Sequence, residues 1–277
     1  MTKGALFLET SIQIARRFHH PKERTRIEAN FKDSPVLLTS SYVKMEYLRR
    51  VIGDLIYLYQ VATRVGNFGE ILWCIQKLDL YQRRKLQTNL QGIGTFFYSS
   101  LGNDTSEVLE KLKIWLKQTI DDSQDMFDEL VDSISDETCC EKARNFPQKN
   151  GETYSGFGRC KGQQKQCKID EFFSANLSAF KEIVDALKAL PPEEKDEELN
   201  KMEEILEKAL QHPKNMLDYK NCWKCGDAII SVECPAKALL LTLNVKHYKV
   251  LMPAIEKKIL LMQDASEIKE EAKIEKS

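Results

Sequence analysis

Three carboxylates stand where short apolar runs give way to helices. Glu9 follows Ala5–Leu8, Glu46 falls in the second turn of a helix opening near Ser41, and Asp227 opens a helix just upstream of a further apolar run. Thr10 adjoins the first, and Thr242 and Asn244 close the run after the third. Carboxylates that converge repel one another, so their convergence favours a bound cation. Hard divalent ions such as Mg²⁺ or Mn²⁺ take oxygen ligands and keep waters that can become nucleophiles. Each residue also has a purely structural reading. Glu9 serves as a helix-start carboxylate. Asp227 serves as an N-cap. Glu46 falls opposite an apolar stripe and pairs on the surface with Arg49 or Arg50.

A second chemistry lies in the cysteines. Seven of the eight gather in two segments: Cys139, Cys140, Cys160 and Cys167, then Cys222, Cys225 and Cys234. Cys222-x2-Cys225 has the half-site spacing of tetrahedral zinc, and Cys160 and Cys167 can supply two further thiolates, with Cys140 as the substitute. Four thiolates close the shell, so such a zinc is structural. The alternatives are unliganded thiols or a redox pair. The redox reading lacks the strand that should precede it, because NMLDY at 215–219 is a poor strand. Cys74 stands alone in a helical pattern.

These residues need a scaffold. Buried-strand runs are read at 4–8, 35–38 and 238–243, each with a helix beyond it, and 259–262 adds an edge strand. After the second run, Thr39-Ser40-Ser41 caps a helix with Leu48, Val51, Ile52, Leu55, Ile56 and Tyr59 at helical spacing. Strands that alternate with helices imply parallel pairing and an α/β sheet. In such sheets ligands bind beyond the carboxyl ends of the strands. From 61 to 215 the pattern is almost entirely helical, with Val108, Leu109, Leu112, Ile114 and Leu116 in one segment and Phe172, Phe173, Leu177, Phe180, Ile183 and Leu187 in another. Within it, 146–168 is Gly-rich, polar and almost without aliphatic residues, which makes a metal staple useful there.

Three stretches, LFLETSI, SSYVKMEYL and GDAIISVECPAKALLLTLNVKHYKVL, together resemble the PIN-domain nucleases. They look like that family's strand-acid-Thr opening, its glutamate-bearing helix and its closing aspartate-helix-strand segment. The resemblance covers about 4–60 and 216–262. It implies a PIN-like parallel sheet flanked by helices, split as 1–60 and 216–262; the helical pattern of 61–215, outside the resemblance, then reads as a large α-helical insertion, and 263–277, mostly Glu, Lys, Ser and Ala, as a charged tail. It further implies that Glu9, Glu46 and Asp227 bind catalytic Mg²⁺ or Mn²⁺, with Thr10, Thr242 and Asn244 in support. The activity implied is phosphodiester hydrolysis by an endoribonuclease-type enzyme, with RNA favoured over DNA. Two positions depart from the pattern: Glu9 is one methylene longer than the family's usual aspartate, and Asn244 is neutral where an acid is usual. Those departures motivate the alternative of a nucleic-acid-binding or protein-interaction module that has lost catalysis.

Net charge is −1 with 30% charged residues, so no global field favours nucleic acid and any basic surface is local. Residues 141–168 carry seven Lys or Arg against two Glu, and 16–26 carry five against one. Arg16, Arg17, Arg159, Lys161 and Lys165 are the candidate phosphate contacts, with Tyr154 and Phe157 able to stack on unpaired bases. Ordinary solvated loops account equally for these runs. No run approaches the roughly 20 apolar residues of a membrane span, and a cytoplasmic setting with reduced thiols is expected. The amphipathic helices of the middle stretch could equally serve a core, a second copy of the chain or an inhibitor protein.

Overall fold

The structure, a computed structural model, describes residues 4–19, 21–31, 36–79, 86, 105–156, 167–212 and 219–260. β1 (Leu6–Leu8) passes into α1 (Thr10–Phe18) and α2 (Pro21–Ala29). β2 (Leu37–Ser40) passes into α3 (Ser41–Tyr47), a π-helical turn over Leu48–Ile52, α4 (Gly53–Ala62) and α5 (Phe68–Gln76). Next come α6 (Thr105–Asp121), α7 (Ser123–Asp128), β3 (Ser133–Ser135), α8 (Glu141–Arg144) and the hairpin β4 (Lys149–Asn150) with β5 (Thr153–Tyr154). The chain continues through α9 (Ile169–Ala175), α10 (Leu177–Ala189), α11 (Glu197–Gln211), α12 (Tyr219–Lys224) and α13 (Gly226–Glu233). It closes with β6 (Leu239–Leu241), α14 (Val245–Ala254) and β7 (Lys258–Leu260).

Five strands form one parallel sheet in the order β3-β2-β1-β6-β7. β1 is central, with Leu6 level with Leu37 on one side and Leu239 on the other. All three of its residues are fully buried, as a parallel sheet covered on both faces requires. Because side chains alternate along a strand, Phe7 joins the larger core while Leu6 and Leu8 meet Ile12, Ala15, Ile27 and Leu241 on the other face. The larger core also takes Tyr47, Phe127, Phe173, Phe180, Ile230 and Met252, so the stretch 61–215 packs into the same interior as the two ends.

That stretch is not wholly helical. β3 lies within it, pairs with β2 and is anchored where Leu37 N donates to Asp132 Oδ2 at 2.7 Å and Asp132 N donates to Leu37 O at 2.8 Å. Ser-Ile-Ser has one apolar residue, so the pairing partner, and not the periodicity, defines this edge strand. Ile114 is 56% exposed, unlike its buried neighbours Leu109, Leu112 and Leu116. The run 172–187 is split at Asn176 into α9 and α10. Leu48, Val51, Ile52, Leu55, Ile56 and Tyr59 are buried as their spacing predicts, but the helix widens over Leu48–Ile52, where Gly53 N reaches back to Leu48 O. Such π turns are rare and recur at functional sites. Among the described residues no helix is long and apolar enough to cross a membrane.

Candidate acidic cleft at the reversal of strand order

The sheet order runs outward from β1 to β2 and β3, then resumes beside β1 with β6 and β7. Between β1 and β6 the direction of winding reverses, and in open α/β sheets this is where loops part to form a crevice. Glu9 leaves β1 there, and Thr242 leaves β6. Glu9 is the N-cap of α1: its Oε2 accepts from Ser11 N at 2.9 Å and from Thr242 Oγ1 at 3.0 Å, and takes a short bond from Ser11 Oγ.

Glu46 arrives from α3. The surface reading of this residue does not hold, since Glu46 is 1% exposed: α1 and α13 both pack on α3 and cover the side opposite its apolar stripe. Its Oε2 accepts from Thr10 Oγ1 at 2.8 Å, and its Oε1 lies 3.7 Å from Arg49 Nη2. Gly226 makes room for it, because a Cβ there would stand 2.6 Å from Glu46 Oε1.

Asp227 is the second residue of α13 and Cys225 holds the N-cap position, so the carboxylate is not spent on capping. Its Oδ2 accepts from Asn244 Nδ2 at 2.9 Å and contacts His247 Nδ1 at 2.6 Å, and Tyr248 Oη donates to Oδ1 at 3.3 Å. Asn244 stands at the N-cap of α14 but makes no side-chain cap; Thr242 Oγ1 instead accepts from Asn244 N at 2.9 Å, which turns the amide toward Asp227.

The electrostatics follow. Burial, with the charges of Asp227 and Glu46, raises the Glu9 carboxyl to about 7. Bonds from Asp227 and from Asp196, whose Oδ2 is 3.0 Å from His247 Nε2, raise His247 to about 9 against the cost of burial, so this ring is cationic at neutral pH. Arg50 lies in the field of Glu46 first, then of Glu9 and Asp227, and is held more firmly protonated. Three acids from three distant parts of the chain thus share one field with Arg50 and His247. Sequence reasoning missed His247 and Asp196; the i, i+3 spacing of Asn244 and His247 on a helix start was the available signal.

Asp227 and Glu46 open onto a cleft of about 470 Å³ lined also by Arg49, Arg50, Lys201, Trp223 and His247. Arg49 stacks 4.4 Å above the Trp223 ring. The expected basic contacts lie elsewhere: Arg16 donates to Leu130 O at 2.6 Å and covers Phe31, and Arg17 reaches Met126 Sδ, neither lining the cleft. Tyr154 is buried, its hydroxyl bonded to Asp121, and does not offer a stacking face. Arg159, Lys161, Lys165, Phe157 and Cys160 lie outside the described residues.

Among the described residues no three His, Cys, Asp or Glu side chains are already arranged as a metal shell. The donor chemistry of Glu9, Glu46 and Asp227 nevertheless suits a hard divalent cation, being all oxygen, crowded and mutually repulsive. The class these features define is an open parallel α/β sheet carrying an acidic cleft at its strand-order reversal. Set against family models, curated proteins and solved structures, the chain matches none.

Proposed function

We propose that the chain is a metal-dependent nuclease that hydrolyses phosphodiester bonds, with RNA favoured over DNA, on a PIN-like fold and in the cytoplasm. The observation that carries this reading is the convergence of Glu9, Glu46 and Asp227 at the carboxyl edge of the sheet, close enough that the other two raise the Glu9 carboxyl. Glu9, Glu46 and Asp227 would hold Mg²⁺ or Mn²⁺, which when bound supplies an activated water and neutralises charge on the leaving oxygen. Thr10, Thr242 and Asn244 fix the three acids by hydrogen bonds. Arg49 and Arg50 on the widened helical turn set positive charge at the rim, where a phosphate backbone would lie. Trp223, with Arg49 stacked over one face of its ring, lines the cleft where an unpaired base would lie.

A second reading, a binding module without catalysis, is favoured by one contact. His247 Nδ1 lies 2.6 Å from Asp227 Oδ2, so the ring itself can partner this carboxylate. One experiment separates the two: the purified chain is incubated with labelled single-stranded RNA and DNA, with Mg²⁺ or Mn²⁺, beside Asp227→Asn. Cleavage should fall at least about 100-fold in the variant, because even groups behind a metal ligand cost 10–100-fold. Equal cleavage by both proteins overturns the assignment, and binding without cleavage selects the module.

A further inference from the structure

Three chain segments meet beside Tyr42, away from the carboxylates' hydrogen bonds. Tyr42 Oη donates to Cys222 O at 2.6 Å, and Cys222 Sγ lies 3.6 Å from the same hydroxyl. Next to Tyr42, Ser41 Oγ is 3.5 Å from Thr138 Oγ1, and Thr138 O accepts from Lys168 N at 3.0 Å. Cys140 lies two residues beyond Thr138 and Cys167 one residue before Lys168, so these bonds draw together the segments that carry Cys140, Cys167 and Cys222. All three pack against the core that contains Cys225. The backbone at Cys139 is left-handed, φ 45°, a conformation that costs energy for a residue with a side chain. Cys139 Sγ turns to Asp136 O at 3.4 Å while Cys140 takes the N-cap position of α8, so the adjacent thiols face different neighbours.

We propose that Cys140, Cys167, Cys222 and Cys225 bind one zinc ion as thiolates, at a structural site separate from the acidic cleft. Sulfur ligands select zinc over the hard cations that suit carboxylates. Cys140, Cys167 and Cys225 all lie within electrostatic range of the Cys222 sulfur. Four thiolates held together would repel one another, and a divalent cation relieves that repulsion. Binding releases one proton to solvent from each thiol and leaves four Zn–S bonds, with no change of oxidation state. Among the described residues no three of these side chains already stand as a metal shell, so binding would require them to rotate while the backbone bonds around Thr138 and Tyr42 stay in place. Cys140 takes the part that sequence spacing gives to Cys160. The ion would fasten the start of α8 and the segment before α9 to α12 and the turn that follows it, one residue from the Gly226 that abuts Glu46.

The test uses the full chain. Metal analysis of the protein as purified, or after reconstitution with Zn²⁺, should give one zinc per chain. Cys222→Ser and Cys167→Ser should weaken zinc binding by at least about tenfold in a metal buffer, while Cys74→Ser and Cys234→Ser keep it. Should the ligand variants fail to fold, Co²⁺ added to the chelator-stripped parent decides. A sulfur-to-cobalt charge-transfer band with tetrahedral visible absorption supports the site, and its absence overturns it. No zinc after reconstitution, or unchanged zinc in both ligand variants, also overturns the proposal.

Discussion

Thr10 Oγ1 donates to Glu46 Oε2 across 2.8 Å, and both residues are buried. The bond ties the first turn of the helix after β1 to the helix after β2, and it satisfies a carboxylate that has little access to water. Thr10→Val keeps the shape and removes the donor. An unsatisfied buried group costs about 1–3 kcal/mol, more when charged, so denaturant unfolding should show a loss of at least that size. Thr10→Ser should recover most of it. A Thr10→Val chain as stable as the parent would show that the bond contributes nothing.

Gly226→Ala gives a sign test. In an unconstrained helix this change gains up to about 1 kcal/mol. Here the new methyl would meet Glu46 Oε1 at 2.6 Å and Tyr42 Cε1 at 3.6 Å, and Glu46 is held by Thr10 and Arg49. Overpacking of this kind costs about 1–3 kcal/mol. The melting temperature should therefore fall; a rise would mean that Glu46 moves aside freely.

Asn244→Asp restores an acid beside Asp227, where the amide now donates at 2.9 Å. Without divalent ions, repulsion should lower the melting temperature. Added Mg²⁺ or Mn²⁺ should then raise it more than in the parent, since the fourth acid strengthens the cation site. A variant whose melting is as insensitive to metal as to the substitution itself would count against a cation at this position.

Glu233 carries a pH prediction. Burial raises its carboxyl from 4.5 to about 8, against the opposing effect of Ser40 Oγ, which donates to Oε2 at 2.5 Å. The folded state thus holds the proton more tightly than the unfolded chain. Its contribution to stability is full below pH 4.5 and is lost as pH rises through about 8. Glu233→Gln keeps the size and removes the titration. Between pH 5 and 9 the parent should lose roughly a few kcal/mol more than the variant, because each tenfold difference in proton affinity between the folded and unfolded chains is worth about 1.4 kcal/mol. Parallel unfolding midpoints across that range would refute the assignment.

Trp223→Ala, made in the Asp227→Asn background to stop cleavage, probes the cleft. Stacking of a base on an aromatic side chain is worth about 1–3 kcal/mol, so single-stranded RNA binding should weaken by roughly 5- to 150-fold at fixed salt. Unchanged affinity would place the nucleic acid elsewhere.

Periodicity and end signals made several features legible from the residues alone. The apolar runs around β1, β2, β6 and β7 appear as strands of a parallel sheet, and Ser40 caps α3 through Val43 N. The burial of Leu48 through Tyr59 follows from helical spacing. These are local matters, decided by hydrophobic pattern and backbone preference within a few residues. What depends on distant segments was decided only by the tertiary structure. β3 exists because β2 offers a partner, and Glu46 is buried because α1 and α13 close over it. Asp227 reaches His247 and, through it, Asp196 because α14 packs back against α13 and the N-terminus of α11 lies alongside. One-dimensional spacing cannot encode such contacts, since a carboxylate's chemistry is set by which charges and donors the fold brings within a few ångströms of it.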